Sequence, residues 1–475
     1  MRSLLSIKTN KMKVIVLFLM FCVSILGCAE KKRVNPKQLV ISENGRYLMT
    51  GDGKPFFWLG DTGWLLLNKL TREEADQYLE DRKQKGFNVV QAMLLHEVPS
   101  LNVYLDSSVV DKNVAIPAVT DGNNYKDALE YDYWDHVDYI VNKAAEKGIY
   151  MALVPVWGTN VKDKKVKNDQ AGKYAEFLAK RYKDTWNIIW LNGGDIRGSE
   201  GMQVWKIIGK TLRANDPNHL ITFHPRGRTA SSDWFHNEDW LDFNMVQSGH
   251  RRYSQDTSKK ETNHYGQDNW RFIDVDYALK PAKPTIDGEP SYEDIPHGLH
   301  DTTQPRWTAS DVRRYGYWSV FAGAFGYTYG HNSVMQMFKL TDKAPAYGAR
   351  NEWYKAINAE GATQMIYLKK LMLSRPYFDR VPDQSLIAGK NGIQYDRLMA
   401  TRGENYAMIY VYNGNNIHVN MGKIDGVKVK ASWFDPRTGK TTLIGEFENK
   451  GAQYFNPPGE QVEGNDWVLL LDSIV

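Results

Sequence analysis

The sequence predicts a (β/α)₈ barrel followed by a small antiparallel β-sandwich. Three observations lead there. Between about residues 56 and 330, short apolar runs alternate with helix-like stretches, a pattern that implies parallel strands with helical crossovers. Eight such units over roughly 280 residues is the size of a TIM barrel. After Pro376 the pattern changes to strand-like runs separated by turn signals.

The elements follow in order. Residues 56–60, Phe-Phe-Trp-Leu-Gly, form the first buried run. A helix over 71–85 follows: Thr71 caps it, Glu73 and Glu74 suit its first turn, and Gly86 ends it. Residues 87–95 are the second strand. A helix over 133–147 stops at Gly148 and leads into the third strand, 149–157. Helix 170–182, strand 187–191, helix 202–215 and strands 219–224 and 242–247 come next. Helix 270–279, strand 284–287, helix 310–321 and strand 325–329 complete the eight units. Residues 350–375 read as a last helical segment with apolar spacing at Ile366, Leu368, Leu371 and Leu373. Strand-like runs 406–412, 427–433 and 467–471 lie in the sandwich, set off by turns such as Asn413-Gly414-Asn415 and Asp435-Pro436-Arg437-Thr438-Gly439. A doubly wound sheet is the structural alternative. Its Gly-rich dinucleotide turn is absent after the first strand, where Gly60-Asp61-Thr62-Gly63-Trp64 stands instead.

A chain of 475 residues exceeds one ordinary hydrophobic core, which supports a barrel over 37–375 and a sandwich over 376–475. With 60 basic and 56 acidic residues the formal charge is +4 and forms no basic stripe, so nucleic acid is not the expected partner. Aromatics make up 12% of the chain, including 15 Trp and 27 Tyr, which suits stacking on sugar C–H faces but also suits large cores.

The N-terminus reads as an export signal over 1–28. Arg2, Lys8, Lys11 and Lys13 form a basic region, and 14–26 is an apolar stretch too short to span a bilayer comfortably. It ends Ile25-Leu26-Gly27-Cys28, which resembles a bacterial lipobox. Cys28 is therefore the expected lipidation site, with 29–36 as a tether and outer-membrane anchoring as the expected location, on either face. The only other Cys, Cys22, lies in the segment to be removed, so no disulfide is expected.

Chemistry in a TIM barrel sits at the C-terminal ends of the strands. The fourth run reads Ile188-Ile189-Trp190-Leu191-Asn192-Gly193-Gly194-Asp195, and the seventh Pro284-Thr285-Ile286-Asp287-Gly288-Glu289-Pro290. Strands four and seven face each other across the barrel mouth, so Asp195 and Glu289 can converge on one sugar. Glycosidic cleavage needs such a pair, one carboxyl protonating the leaving oxygen and the other attacking or supporting the anomeric carbon. We assign Asp195 as acid/base and Glu289 as nucleophile, in the manner of the retaining clan whose acid/base ends strand four. That clan usually has Asn-Glu where this chain has Asn192-Gly-Gly-Asp195. Structural readings stand beside these: Asp195 as a cap for the helix at 200–214, Glu289 as a loop ion-pair partner, Asp287 as a buried polar group inside the barrel.

Other strand-end groups form a candidate sugar pocket: Asp61, Trp64, His96, Trp157, Asn192, His224, Gln247, His250, Tyr292, Tyr329 and His331. Asp61 reads equally well as a turn-forming residue. His96, His224, His250, His264, His297, His300 and His331 lack the paired spacing of a zinc site, and no metal or cofactor is expected. No Gly-x-Ser-x-Gly elbow lies near a usable strand end. Gly439-Lys440-Thr441 is no phosphate loop, because Phe434 stands where its first Gly belongs.

Residues 56–64, Phe-Phe-Trp-Leu-Gly-Asp-Thr-Gly-Trp, and 85–91, Lys-Gly-Phe-Asn-Val-Val-Gln, together with Trp190 to Asp195 and Asp287 to Pro290, resemble the apiosidase-like barrel family, glycoside hydrolase family 140. The C-terminal domain resembles the collagen-binding-like domain that accompanies these barrels. The resemblance implies retaining cleavage of apiose linkages in pectin of the rhamnogalacturonan-II side-chain type, with Asp195 as acid/base and Glu289 as nucleophile. An inverting hydrolase, and a surface-anchored glycan- or collagen-binding protein without activity, remain as alternatives.

Overall fold

The computed structural model describes residues 35–256 and 266–474. The expectations for 1–34, including Cys28, and for His264 lie outside the described residues. Eight parallel strands form the barrel: β1 (Trp58–Thr62), β2 (Val89–Met93), β3 (Tyr150–Val154), β4 (Ile188–Ile196), β5 (Ile221–Pro225), β6 (Asn244–Gln247), β7 (Thr285–Asp287) and β8 (Gly326–Tyr329). Their order is β5-β4-β3-β2-β1-β8-β7-β6, with the short strand Thr229–Ala230 antiparallel on β6. The ring closes between β5 and β6 through the Asp242 N–H, which donates to Ile221 O at 2.8 Å.

The strands are buried almost throughout, as their unbroken apolar runs require when helices cover one face and the barrel interior the other. The helices are α1 (Arg72–Gln84), α2 (Tyr133–Glu146), α3 (Asn168–Tyr182), α4 (Met202–Asn215), α5 (Asn269–Ala278), α6 (Ala309–Phe321) and α7 (Glu360–Leu373). Thr71 caps α1 as the sequence foretells, and Glu74 reaches back to complete a capping box with it. The expected last helix over 350–375 is two pieces, Trp353–Ala356 and α7, because Asn358-Ala359 turns the chain between them.

The C-terminal region is a six-stranded antiparallel sheet, ordered Val381–Pro382, β9 (Met399–Arg402), β10 (Tyr406–Val411), β13 (Trp467–Ile474), β11 (Lys428–Phe434), β12 (Thr441–Glu448). One face packs Ala407, Ile409, Leu469 and Leu471 against the two-stranded pair Ile417–Asn420 and Ala452–Phe455. The alternate residues Met408, Tyr410, Val468 and Leu470 join the barrel core, following the period of two along a strand. Helix α6 is wedged between barrel and sheet, which is why it is buried nearly all round, Arg313 and Arg314 included. Tyr317 on α6 stacks on Tyr410 at 4.7 Å, and Arg313 grips Asp466 at 2.7 and 2.9 Å. The sheet thus braces the barrel wall at the seventh and eighth units.

Candidate active site

Strand β4 ends in a bulge. Its register against β5 shifts between Gly193 and Ile196. Gly193 and Gly194 have φ of 96° and 110°. A Cβ at Gly193 would lie 2.6 Å from the Phe223 ring, and one at Gly194 2.5 Å from Trp157, so only glycine fits. The bulge re-aims the next side chain. Asp195 is therefore turned into the cleft at the cost of its own left-handed backbone, φ 46°, a strain worth about 1–3 kcal/mol. It does not cap α4, which begins after Gly201 with no side-chain cap.

Strand β7 is pinned before it delivers Glu289. Gln91 reaches across from β2 and donates to Gly288 O at 2.9 Å, and the Gly288 N–H donates to Val246 O at 2.9 Å. Glu289 lies between two imidazoles. His250 Nε2 is 3.2 Å from Oε1, and His224 Nε2 is 3.2 Å from Oε2, the latter close but out of line for a well-formed hydrogen bond. The other nitrogen of each ring is already used. His224 Nδ1 accepts from the Asp195 N–H and His250 Nδ1 from the Tyr292 N–H, both at 3.3 Å. This network assigns the ring proton to Nε2 in both, aimed at the carboxylate. It also makes His224 a bridge between the two acidic residues.

The two carboxyls differ sharply in proton affinity. Burial raises Asp195, and the negative Glu289 raises it further, to about 6, against weaker opposition from His224, Gly227 and Gln247. The Asp195 side chain is open to the cleft, so water there screens part of this effect until a ligand displaces it. Burial alone would raise Glu289 as well. The imidazoles of His224 and His250 outweigh it and hold the carboxyl at about 2. A doubly protonated ring would turn Nδ1–H against a backbone N–H, so hydrogen bonding rather than full positive charge is the part of this effect the geometry supports.

Both carboxyls line one cleft of about 840 Å³ at the C-terminal mouth of the barrel. Trp64, His96, Trp157, Gln247, His250 and Tyr292 line it with them. Trp64 and Trp157 lie 5.3 Å apart and form an aromatic wall beside His224. His224 sits behind Glu289, fully buried, as a positioning group.

Four expected sugar contacts lie elsewhere. Asn192 points outward and donates to Trp205 O of α4, because inward and outward positions alternate along β4 and the bulge lies beyond it. Asp61 is buried against α1, accepting from Tyr78 Oη at 2.6 Å and Arg82 Nη1 at 3.1 Å, so it is neither a sugar ligand nor a turn former. Tyr329 donates to buried Glu293 at 2.6 Å. His331 caps the short helix Asn332–Met335 by accepting from the Ser333 N–H. Asp287 also faces outward, accepting from Ser248 and from Asn269 of α5. Sequence reasoning missed Arg226, Arg228 and Arg251 on the loops after β5 and β6, and His300 and Tyr347 on those after β7 and β8. The arginine pairs in Arg226-Gly227-Arg228 and Arg251-Arg252 were the available signal. Among the described residues, no three His, Cys, Asp or Glu side chains are grouped to hold a metal ion.

A catalytic-domain family model described as "Apiosidase-like, catalytic domain" matches residues 42–379. The chain belongs to the apiosidase-like family. A second model, "Putative collagen-binding domain of a collagenase", matches 381–472. A solved glycoside hydrolase is 50% identical with a TM-score of 0.87, covering 92% of this chain and 97% of that one. A solved family 5 glycoside hydrolase from Bacteroides vulgatus ATCC 8482 is 47% identical, also at 0.87, covering 92% and 93%. Family and structural neighbours together mark the chain as a glycoside hydrolase. One curated protein, the probable glycine dehydrogenase (decarboxylating) subunit 1 of Thiobacillus denitrificans, is 27% identical over 182 residues. The chain spans 37% of that relative's length.

Proposed function

We propose that this apiosidase-like hydrolase is a retaining glycosidase acting on plant pectic glycan, with apiose linkages of rhamnogalacturonan-II side chains as its substrate. The observation that carries the mechanism is the opposed proton affinity of Asp195 and Glu289 within one cleft, which separates acid from nucleophile. The Glu289 carboxylate attacks the anomeric carbon while the glycosidic C–O bond breaks, and Asp195 gives its proton to the departing oxygen. Asp195, now a carboxylate, then takes a proton from water. The resulting hydroxide displaces Glu289 from the anomeric carbon and releases the sugar. The family match supports the apiose reading.

The test is a screen of the purified protein on pectic oligosaccharides, with sugar release followed by chromatography and the first-formed anomer by proton NMR. Retention of configuration, and loss of turnover by orders of magnitude in a folded Glu289→Ala variant, are expected. Inversion would overturn the nucleophile assignment. Binding without any release over a long incubation would favour a non-catalytic binder.

We further propose that the protein is exported and held by lipid on Cys28, on the strength of the Leu26-Gly27-Cys28 sequence. Cys28→Ala should move it from the membrane to the soluble fraction. An unchanged membrane fraction would refute the anchor.

A further inference from the structure

We infer that Tyr347 contacts the sugar at the point of bond cleavage, placed there by a strained backbone that the surrounding fold holds rigid. Tyr347 lies in the turn Ala346–Gly348, beyond β8, and lines the same cleft as Asp195 and Glu289. Its φ and ψ are 51° and 32°, a left-handed conformation that a tyrosine rarely adopts. Such strain persists only where neighbours over-determine the backbone, and it gathers at functional sites.

The neighbours here are specific. Asn332 Nδ2 donates to Tyr347 O at 2.9 Å. Gln336 closes a two-way pair with Ala346, donating to its carbonyl at 3.0 Å and accepting from its N–H at 2.7 Å. Arg306 Nη2 donates to Gly348 O at 2.8 Å. Asn332 and Gln336 are themselves buried at the barrel mouth. Three successive residues of this turn are thus tied to their surroundings, and the tie keeps the tyrosine out of its relaxed conformation.

The ring packs against His300 at 5.5 Å, which gives the cleft a second aromatic wall besides Trp64 and Trp157. Among the described residues, the Tyr347 hydroxyl has no hydrogen-bond partner. Burial and then the charges of Glu289 and Asp195 make it harder to ionise, so both carboxylates bear on it. A neutral phenol lining the cleft of the two reacting groups, without a protein partner, is suited to accept from a sugar hydroxyl next to the anomeric carbon. That bond gains strength in the transition state, where positive charge on the sugar makes the hydroxyl a better donor.

This inference rests on the glycosidase reading, and two measurements keep their failures apart. Tyr347→Phe keeps the ring and the backbone and removes only the hydroxyl. With rhamnogalacturonan-II oligosaccharides as probe, it should lower kcat/KM about 10- to 100-fold, chiefly through kcat, with an unchanged melting temperature. The second measurement is calorimetric binding of the same oligosaccharides to Glu289→Gln with and without Tyr347→Phe, where the hydroxyl's loss should weaken binding. Wild-type turnover with an unimpaired Tyr347→Phe would overturn the Tyr347 inference alone. No wild-type turnover, but binding that Tyr347→Phe weakens, would overturn the hydrolase reading and sustain the contact. Neither turnover nor binding would overturn both.

Discussion

Replacing His250 with alanine should move the acid limb of the pH–rate profile upward. The Glu289 carboxyl lies near 2 rather than at its ordinary 4.5. At about 1.4 kcal/mol per unit, that difference is roughly 3 kcal/mol of preference for the ionised form, over and above what burial takes away. The His250 Nε2–H, hydrogen-bonded to Oε1 at 3.2 Å, and the His224 Nε2, in close contact with Oε2 at 3.2 Å, supply it. Removing His250 takes away the hydrogen bond to Oε1, so the carboxyl should rise from about 2 toward its ordinary value. Catalysis needs Glu289 ionised, so rates should start to fall at a correspondingly higher pH as solutions are acidified. The assay is kcat/KM against pH, from initial rates after brief pH jumps. Stability should follow the same sign. A depressed carboxyl stabilises the fold above its unfolded value and loses that contribution as pH falls toward 2, so the variant should also lose acid stability sooner. An acid limb that stays where it is in His250→Ala would refute the claim that this imidazole sets the charge of Glu289.

Two further outcomes follow from the corrected site. Asp61→Ala removes one of the two carboxylates that hold the buried Arg82 guanidinium, leaves Tyr78 Oη without its acceptor, and should cost about 1–3 kcal/mol in denaturant unfolding, with KM for any substrate unchanged; a raised KM with wild-type stability would return Asp61 to the cleft. Gly194→Ala forces a Cβ to within 2.5 Å of Trp157 at a φ of 110°, so it should destabilise by about 1–3 kcal/mol and cut kcat by displacing Asp195; wild-type kinetics would show that the bulge does not position the acid.

The barrel was legible because its strands are buried on both faces. Runs such as Ile188-Ile189-Trp190-Leu191 carry that burial in composition alone. Caps such as Thr71 were legible because they act within one turn. Strand β12 was not foreseen: Thr441-Thr442-Leu443-Ile444 lies at a sheet edge, largely exposed, so burial imposes little alternation on it. Asp195 and Glu289 fell out of strand-end reasoning. Direction of side chains did not. Asn192 and Tyr329 also sit at strand ends, yet they point to the helices or to buried Glu293, and a one-residue change of phase decides that. Tyr347 was out of reach because its place in the cleft depends on a left-handed turn set by Asn332, Gln336 and Arg306, contacts that no local pattern encodes.

The most direct measurement is the alkaline limb of kcat/KM in wild type and in Asp195→Ala, each assayed on a substrate of ordinary leaving group and on an aryl glycoside whose leaving group needs no acid. With the ordinary substrate, wild type should lose activity as pH rises through about 6, where Asp195 gives up its proton. Asp195→Ala should keep turnover on the activated glycoside and show no limb near 6. A wild-type rate that runs flat through pH 6, or a limb that survives the loss of Asp195, would contradict the division of labour between the two carboxyls.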